Sequence, residues 1–248
     1  MKKLLMISVV ALICACSGAE AKKEENIKNA DWHYQMGAGY FGSQEMPLAI
    51  RELTTSLEMN PEHAEAHHLL GFIYMGRRDY QKALLHFDAA VRIKPDFTIA
   101  RNNRGSVYLF MERWKDAEAD FEALLDTPLY PTPELAHNNI GWAYYNLKDY
   151  SRSLEHFKMA TFLKPQLCIA HNNTGLAYLA LGSRMEAAES FQRAIEKCPD
   201  NYAEPHMHLG KMMVEDNHPK ARAEFERCYE LEPETNLGRR CRQYLQIR

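Results

Sequence analysis

The stretch Glu134–Pro165, ELAHNNIGWAYYNLKDYSRSLEHFKMATFLKP, decides the fold of this chain. Apolar residues recur with a helical period in both halves, and a Lys-Asp pair between the halves marks a turn, so the stretch is expected to form two antiparallel helices. Gly141 lets the helices approach closely, Tyr144 and Phe157 fill the space between them, and Pro165 ends the second helix. Such a hairpin leaves an apolar side uncovered, so it needs neighbours.

The same pattern recurs along most of the chain at intervals of 34–36 residues. Counting Glu134 as position 1, tyrosines recur at position 11, small residues at position 20 and phenylalanine or leucine at position 24, whereas histidine mainly replaces the usual tryptophan at position 4. The glycines at position 8 are Gly37, Gly71, Gly105, Gly141, Gly175 and Gly210. The pattern resembles the tetratricopeptide repeat. That resemblance implies an all-α superhelical solenoid of six helix-turn-helix repeats with a C-terminal capping helix.

This pattern divides the chain into four parts. Residues 1–15 are expected to be a lipoprotein signal peptide, and residues 16–28 an acylated cysteine with a flexible tether. Residues 29–234 hold the six repeats, at about 30–63, 64–97, 98–133, 134–167, 168–202 and 203–234. Residues 235–248 are expected to form the capping helix, because the last repeat would otherwise expose its core face.

The N-terminus, MKKLLMISVVALICAC, has two lysines followed by an apolar run too short to span a bilayer, which is typical of a cleaved leader. The segment Ile13-Cys14-Ala15-Cys16 resembles a bacterial lipobox, so Cys16 is predicted to carry palmitate or similar acyl chains that anchor the protein. The alternative is an ordinary signal peptide with a stray cysteine. By resemblance to bacterial sorting, the absence of aspartate at position 17 favours the outer membrane.

Composition and motifs argue against catalysis and against a nucleic-acid partner. The net charge of −3 gives no basic footprint for nucleic acid. Gly37–Gly42 matches G-x-G-x-x-G, but it lies within a predicted helix rather than after a strand, so no dinucleotide cofactor is expected. We find none of the hydrolase, zinc-protease or P-loop motifs. We therefore expect no enzyme activity, no cofactor and no small-molecule substrate.

Histidines recur at position 4 of five repeats: His33, His67, His137, His171 and His206. Equivalent positions in stacked repeats lie roughly 10 Å apart, whereas the ligands of one zinc ion lie about 2 Å from it. We therefore expect no metal site, and interpret the histidines as amphipathic rings at the edge of the core.

Four cysteines lie downstream of the leader: Cys168, Cys198, Cys228 and Cys241. An exported protein enters a compartment that permits disulfides. The spacing favours Cys228 with Cys241, which are placed symmetrically about the loop at Pro233, and Cys168 with Cys198 at one edge of repeat five. Cys198 with Cys241 is the competing pair. The alternative for Cys228 is a small buried apolar residue without a bond.

A second stripe of the first helices in repeats three to five is rich in asparagine and apolar residues. Asparagine is a poor helix former, so its recurrence at matched places needs a reason. Its amide both donates and accepts, which suits a peptide backbone laid along a groove, and the adjacent apolar side chains offer pockets. We favour such a groove over a merely solvated face. The predicted partner-binding residues are Ile99, Asn102, Asn103, Leu109, Phe110, Leu135, Asn138, Asn139, Trp142, Tyr145, Ile169, Asn172, Asn173 and Leu176.

The six repeats, the lipobox, the short tether and the segment LYPTPELAHNNIGWAYY together resemble the type IV pilus assembly lipoproteins PilF, PilW and Tgl. The resemblance implies a pilotin: a lipid-anchored outer-membrane protein, facing the periplasm, that binds the pilus secretin and promotes its localisation and multimer assembly, and hence pilus-dependent motility. The alternatives are a periplasmic lipoprotein scaffold that regulates cell-wall enzymes, and an enzyme or metal protein built on repeats.

Overall fold

A computed structural model describes the backbone of residues 2–246 and the side chains of residues 20–246. The predicted lipidation residue Cys16 and the predicted leader at 1–15 lie outside the residues whose side chains are described. Within residues 2–246 every regular element is helical, as the all-α prediction requires. The helices are α1 Lys2–Gly42, α2 Met46–Met59, α3 Ala64–Gly76, α4 Tyr80–Ile93, α5 Thr98–Phe110, α6 Trp114–Leu125, α7 Pro133–Asn146, α8 Tyr150–Leu163, α9 Cys168–Ala180, α10 Arg184–Lys197, α11 Glu204–Glu215, α12 Ala221–Leu231 and α13 Asn236–Gln246.

The helices fall into two compact units, one ending at Met111 and one beginning at Glu112. In the first unit α1 packs on α2, α3 packs on α4, and each pair contacts the next helix along the chain. In the second unit the pairs are α7 with α8, α9 with α10, and α11 with α12, with α13 packed on α12. This order and pairing are those of a tetratricopeptide-repeat solenoid, which confirms the predicted fold class.

In repeats two, four, five and six a phenylalanine lies opposite a glycine at the core of the hairpin, and in repeat one Leu53 takes the place of the phenylalanine. Phe157 is fully buried, and a Cβ added to Gly141 would lie 2.7 Å from its ring. The same relation joins Gly175 to Phe191, where the distance would be 2.6 Å. Burying such a side chain stabilises the fold by roughly 1.5–3 kcal/mol. The contact between positions 8 and 24 therefore closes the hairpin.

The turns between paired helices share one backbone conformation. Arg78 and Lys148, each just before the second helix of its pair, take the left-handed conformation with φ of 60° and 63°. The next residue caps the helix: the side chain of Asp149 accepts from the backbone N–H of Arg152 at 3.1 Å. Only in repeat five does glycine occupy the left-handed position, at Gly182 with φ 80°. The other repeats hold non-glycine residues there through the surrounding hydrogen bonds.

Helix α1 corrects the expectation for the predicted tether. The structure has residues 20–28 within this helix rather than in a flexible coil, and their side chains are exposed. Alanine, glutamate and lysine dominate the segment and are strong helix formers, and Lys28 pairs with Glu24 one turn earlier at 3.2 Å. The absence of an apolar period therefore indicated exposure, not disorder. Among the described residues, no helix combines the length and apolarity needed to cross a membrane.

Helix α13 closes the last repeat, as the predicted capping helix should. Its Tyr244 ring stacks on Phe225 of α12, with ring centroids 4.5 Å apart. Gly238 lies so close to the carbonyl of Glu232 that a Cβ would be 1.9 Å from that oxygen, so a larger residue would push the helix away. Gly238 therefore allows the capping helix to pack closely against the end of α12 and to cover its core face.

Candidate peptide-binding pocket

Three consecutive first helices, α7, α9 and α11, present their N-terminal halves side by side in the second unit. A pocket of about 260 Å³ opens there. Pockets for drug-sized ligands measure about 300–1,000 Å³, so this one is suited to a single side chain or a short backbone segment. Its lining residues are Asn138, Asn139, Trp142, Ile169, Asn173 and Glu204.

Three of the predicted asparagines form the floor of this region rather than a free ladder. Asn138, Asn172 and Asn173 are buried, with Asn172 fully so. The amide of Asn173 donates to Asn138 Oδ1 at 3.0 Å, joining α9 to α7. Their poor helix propensity is thus offset by hydrogen bonds between repeats, a role that the sequence analysis did not consider. Asn138 and Asn173 still line the pocket, but they are committed to each other, and Asn172 is inaccessible to a partner.

The accessible part of the pocket is aromatic and amide in character. Trp142 stacks on Tyr145, one turn further along α7, with ring centroids 5.5 Å apart and planes 6° from parallel. The pair forms a rigid aromatic shelf, because each ring restricts the rotation of the other. Asn139 lies one turn before Trp142 and is half-buried, while Ile169 of α9 is 43% exposed. The accessible lining therefore places an amide beside apolar and aromatic side chains.

Glu204 is the pocket residue that the sequence analysis missed. It occupies position 2 of repeat six, in line with Ile169 and Leu135 at position 2 of repeats five and four, so continuing the stripe by one repeat would have found it. Its Oε2 atom accepts from Tyr202 Oη at 3.1 Å and from Asn172 Nδ2 at 3.4 Å. Burial, and then the charge of Glu204, raises the pKa of Tyr202, which keeps that hydroxyl a donor.

The predicted groove residues of repeat three lie on α5, which belongs to the first unit. Asn103 Nδ2 lies 3.1 Å from His68 Nε2, which again links neighbouring repeats. Phe110 is 61% exposed and stacks on Tyr80 at 5.3 Å, beside Met75 and Arg78. The other three predicted residues of α5 differ in exposure: Ile99 is exposed, whereas Asn102 and Leu109 are half-buried.

Leu176 departs from its predicted role. It is half-buried and packs against the apolar cluster of Ala187, Phe191, Leu209 and Met212. Position 9 of α9 therefore supports the contact between repeats five and six. Leu135, at the start of α7, is 38% exposed and remains available at the surface.

The four downstream cysteines are bonded in the structure as Cys168–Cys198 and Cys228–Cys241. These are the two pairings that the spacing favoured. The first bond joins the first residue of α9 to the residue after α10, so it closes repeat five. The second joins two buried residues and ties the capping helix to α12.

Four of the five position-4 histidines contact the second helix of their own hairpin, whereas His171 Nε2 lies 3.0 Å from the carbonyl of Pro165. His67 Nδ1 lies 3.1 Å from His86 Nδ1, and His137 Nδ1 lies 3.1 Å from His156 Nδ1. His67 Nε2 is 3.1 Å from the carbonyl of Pro61. Because a carbonyl only accepts, this nitrogen carries the proton, and the Nδ1–H of His86 donates to His67 Nδ1. Among residues 20–246 no group of three or more potential ligands is arranged to hold a metal.

Family comparisons agree with the repeat pattern. Models of the tetratricopeptide repeat match residues 64–97, 102–167 and 173–201, together more than half of the chain. No curated protein matches the sequence significantly.

Solved structures with the same fold include PilW, PilF and YrrB. The crystal structure of PilW, described as a widely conserved type IV pilus biogenesis factor, has a TM-score of 0.73 at 20% identity. The matched region covers 85% of this chain and 97% of the PilW chain. PilF of Pseudomonas aeruginosa has a TM-score of 0.68 at 16% identity, covering 89% and 99%. YrrB, described as having an unusual peptide-binding site, has a TM-score of 0.55 at 20% identity, covering 77% and 97%.

Proposed function

This chain belongs to the tetratricopeptide-repeat proteins, and on that premise we propose that it is a pilotin. In this proposal it is anchored to the outer membrane through acyl chains on Cys16 and faces the periplasm. There it binds a segment of the type IV pilus secretin and promotes assembly of the secretin ring, and hence pilus formation and motility. Tetratricopeptide-repeat proteins bind peptide partners, and the fold likeness to PilW and PilF favours a partner in the pilus machinery.

The observation that carries the proposal is the pocket on α7, α9 and α11. Its floor is fixed by the buried bond between Asn173 and Asn138, so the site is rigid before a partner arrives. Its rim offers the Trp142 ring and the free-standing amide of Asn139. Rigid aromatic anchors beside backbone-reading amides give binding energy without a large cost of ordering.

The test is a double variant, Trp142→Ala with Asn139→Ala. Asn173 is left intact, because truncating it would break the buried bond to Asn138. A central aromatic anchor contributes about 2 kcal/mol or more to binding, so affinity for the secretin should fall at least about thirtyfold. Cells carrying the variant should accumulate secretin monomers, form few detergent-resistant rings and lack surface pili.

The matched control is Phe162→Ala. Phe162 is 78% exposed on α8 and does not line the pocket, so its loss should leave secretin rings at the wild-type level. Normal rings in cells that carry the double variant would reject the pocket as the secretin site. Normal rings after deletion of the whole gene would reject the pilotin assignment, and co-purification with a cell-wall synthase instead of the secretin would establish the alternative scaffold function.

The anchor has its own test. Cys16→Ala should release the protein from the outer-membrane fraction while the repeats keep their helical circular-dichroism spectrum, because residue 16 precedes the first repeat. Cys14→Ala should change neither property. Retention of the Cys16→Ala protein in washed outer membranes would show that lipidation at this cysteine is not the anchor.

A further inference from the structure

The pocket on α7, α9 and α11 carries one formal charge among its described lining residues, the carboxylate of Glu204. Its Oε2 atom is held by Tyr202 and Asn172, which fix the direction of the group. Both donors are neutral, so neither supplies a positive charge to balance the carboxylate. The carboxylate is thus oriented at the rim of a small pocket and is still able to accept from a charged donor.

Another part of the pocket lining is aromatic. Trp142 lines the pocket and is held in place by its stacking on Tyr145. The face of an indole ring attracts cations, and attracts them more strongly where water is partly excluded. Neither Trp142 nor Ile169 offers an acidic or basic group. The walls therefore combine a carboxylate with an aromatic face, which is the pairing that recognises lysine and arginine side chains.

We propose that this pocket selects a lysine or arginine side chain of the partner segment, with Glu204 accepting from its charged group and Trp142 contacting its stem. The inference rests on the proposed peptide-binding function and adds the chemistry of the residue that is recognised. The pocket volume of about 260 Å³ fits one long side chain, and its apolar wall suits the methylene stem of such a residue. Asn139 then remains free to hydrogen-bond the partner backbone.

The experiment uses the full chain in detergent and a random heptapeptide library displayed on phage. Selection against the wild-type protein should enrich peptides with lysine or arginine at one fixed position. Selection against Glu204→Gln, which keeps the acceptor oxygen but removes the charge, should lose that enrichment. Selection against Glu196→Gln, an exposed glutamate at the end of α10, should match the wild type.

A thermodynamic cycle then measures the contact itself. The best peptide and its counterpart with the basic residue replaced by leucine are titrated against the wild type and Glu204→Gln. We expect the leucine peptide to bind the wild type about tenfold more weakly, the size of one charge-assisted hydrogen bond, and to show no such difference with the variant. Equal losses with both proteins would overturn the inference.

The outcomes separate this inference from the function on which it rests. Enriched peptides that are neutral or acidic, and that need Trp142, would overturn basic-residue selection and leave the pocket as a peptide site. A selection that enriches nothing, or enriches peptides indifferent to Trp142→Ala, would overturn both.

Discussion

The hairpin of α7 and α8 uses the same kinds of side chain on two faces for different purposes. On the packed face, Gly141 meets the fully buried ring of Phe157. One residue after Gly141, Trp142 turns to the open face and lines the pocket. On α8, Phe162 is only five residues beyond Phe157 but is 78% exposed. Residue type alone therefore does not say what an aromatic side chain does; its position in the repeat does.

The two faces also differ in how much they vary between repeats. Position 8, on the packed face, is glycine in every repeat, because no Cβ fits against the residue at position 24. Position 9, which lines the pocket in α7 but packs between repeats in α9, is different in each repeat: Ala38, Phe72, Ser106, Trp142, Leu176 and Lys211. Position 8 is thus fixed by the packing of the hairpin, whereas the residue that follows it is free to differ between repeats.

The largest expected effect comes from truncating the two phenylalanines of α8. Phe157→Ala should lower the free energy of unfolding by about 3–5 kcal/mol, because it removes a buried ring and leaves a cavity. Phe162→Ala should change it by about 0.5 kcal/mol or less, since its ring faces solvent. Urea unfolding followed by circular dichroism measures both. Similar losses for the two variants would contradict the division into packed and open faces.

The disulfides give the next largest effect and test whether the packed face of the last repeat depends on a crosslink. Replacing both Cys228 and Cys241 by alanine should cost about 3 kcal/mol, because the denatured chain regains the entropy of a closed loop. Replacing Cys168 and Cys198 should cost slightly more, since their loop is longer, with a sequence separation of 30 against 13.

Limited proteolysis distinguishes the two bridges. Loss of Cys228–Cys241 should expose α13 to early cleavage, whereas loss of Cys168–Cys198 should loosen repeat five and spare the cap. Thiol titration of the oxidised wild-type protein should find neither pair free. Four reactive thiols in protein taken from the cell envelope would contradict the bridges.

The part-buried histidine pairs predict a smaller, pH-dependent effect on stability. Burial lowers the pKa of His67, and burial followed by the charge of His67 lowers the pKa of His86 to about 4. Arg92 also lowers the pKa of His67, while the Pro61 carbonyl and Glu62 oppose the shift. In repeat four, burial lowers the pKa of His137 and of His156 in the same way.

Because these values lie below the value of about 6.5 in the unfolded chain, protonation favours unfolding. The stabilisation is complete above pH 6.5 and is lost as the pH falls from 6.5 towards 4. We expect a loss of about 1 kcal/mol per pair after allowing for solvent screening. His86→Gln should flatten the dependence of the unfolding free energy on pH in this window, and His86→Gln with His156→Gln should flatten it further. If the variants leave this pH dependence unchanged, the histidine pairs are not its source.

The smallest effect on stability, and one of opposite sign, is expected at the open face. Asn139→Ala should raise the free energy of unfolding by up to about 0.5 kcal/mol, because alanine is the better helix former. Asn173→Ala should lower it by about 1–3 kcal/mol, since it leaves the buried oxygen of Asn138 without its donor. If both substitutions lower stability equally, Asn139 is also part of the packed structure.

The fold could be predicted from the sequence, because helix packing requires small and apolar residues at a fixed spacing. The glycine and phenylalanine positions, the helix order and the cap could all be predicted, since each follows from which residues must be small or apolar at fixed spacing. The favoured cysteine pairs followed from the same spacing. Residues 20–28 were misjudged, because a charged exposed helix and a charged coil have the same lack of apolar period.

The site was harder to predict, because hydrogen bonds between repeats leave no periodic signal. The paired asparagines mark the face on which the pocket opens, but the sequence does not distinguish Asn139, which stays at the rim, from Asn173, which is committed to Asn138. Glu204 was overlooked because repeat six lacks the asparagines that drew attention to repeats three to five. Both differences depend on side-chain direction, which only the packed helices fix.

The connectivity of the two disulfides bears on how the chain is made. Each of the four cysteines is bonded to its immediate neighbour in chain order, Cys168 to Cys198 and Cys228 to Cys241. Our proposal requires export that starts at the N-terminus. Cys168 and Cys198 then both emerge before Cys228 does. An oxidase that joins cysteines in order of arrival therefore makes the native bonds directly. Thiol–disulfide reshuffling, which takes seconds to hours, is needed only if a non-native bond such as Cys198–Cys241 forms first.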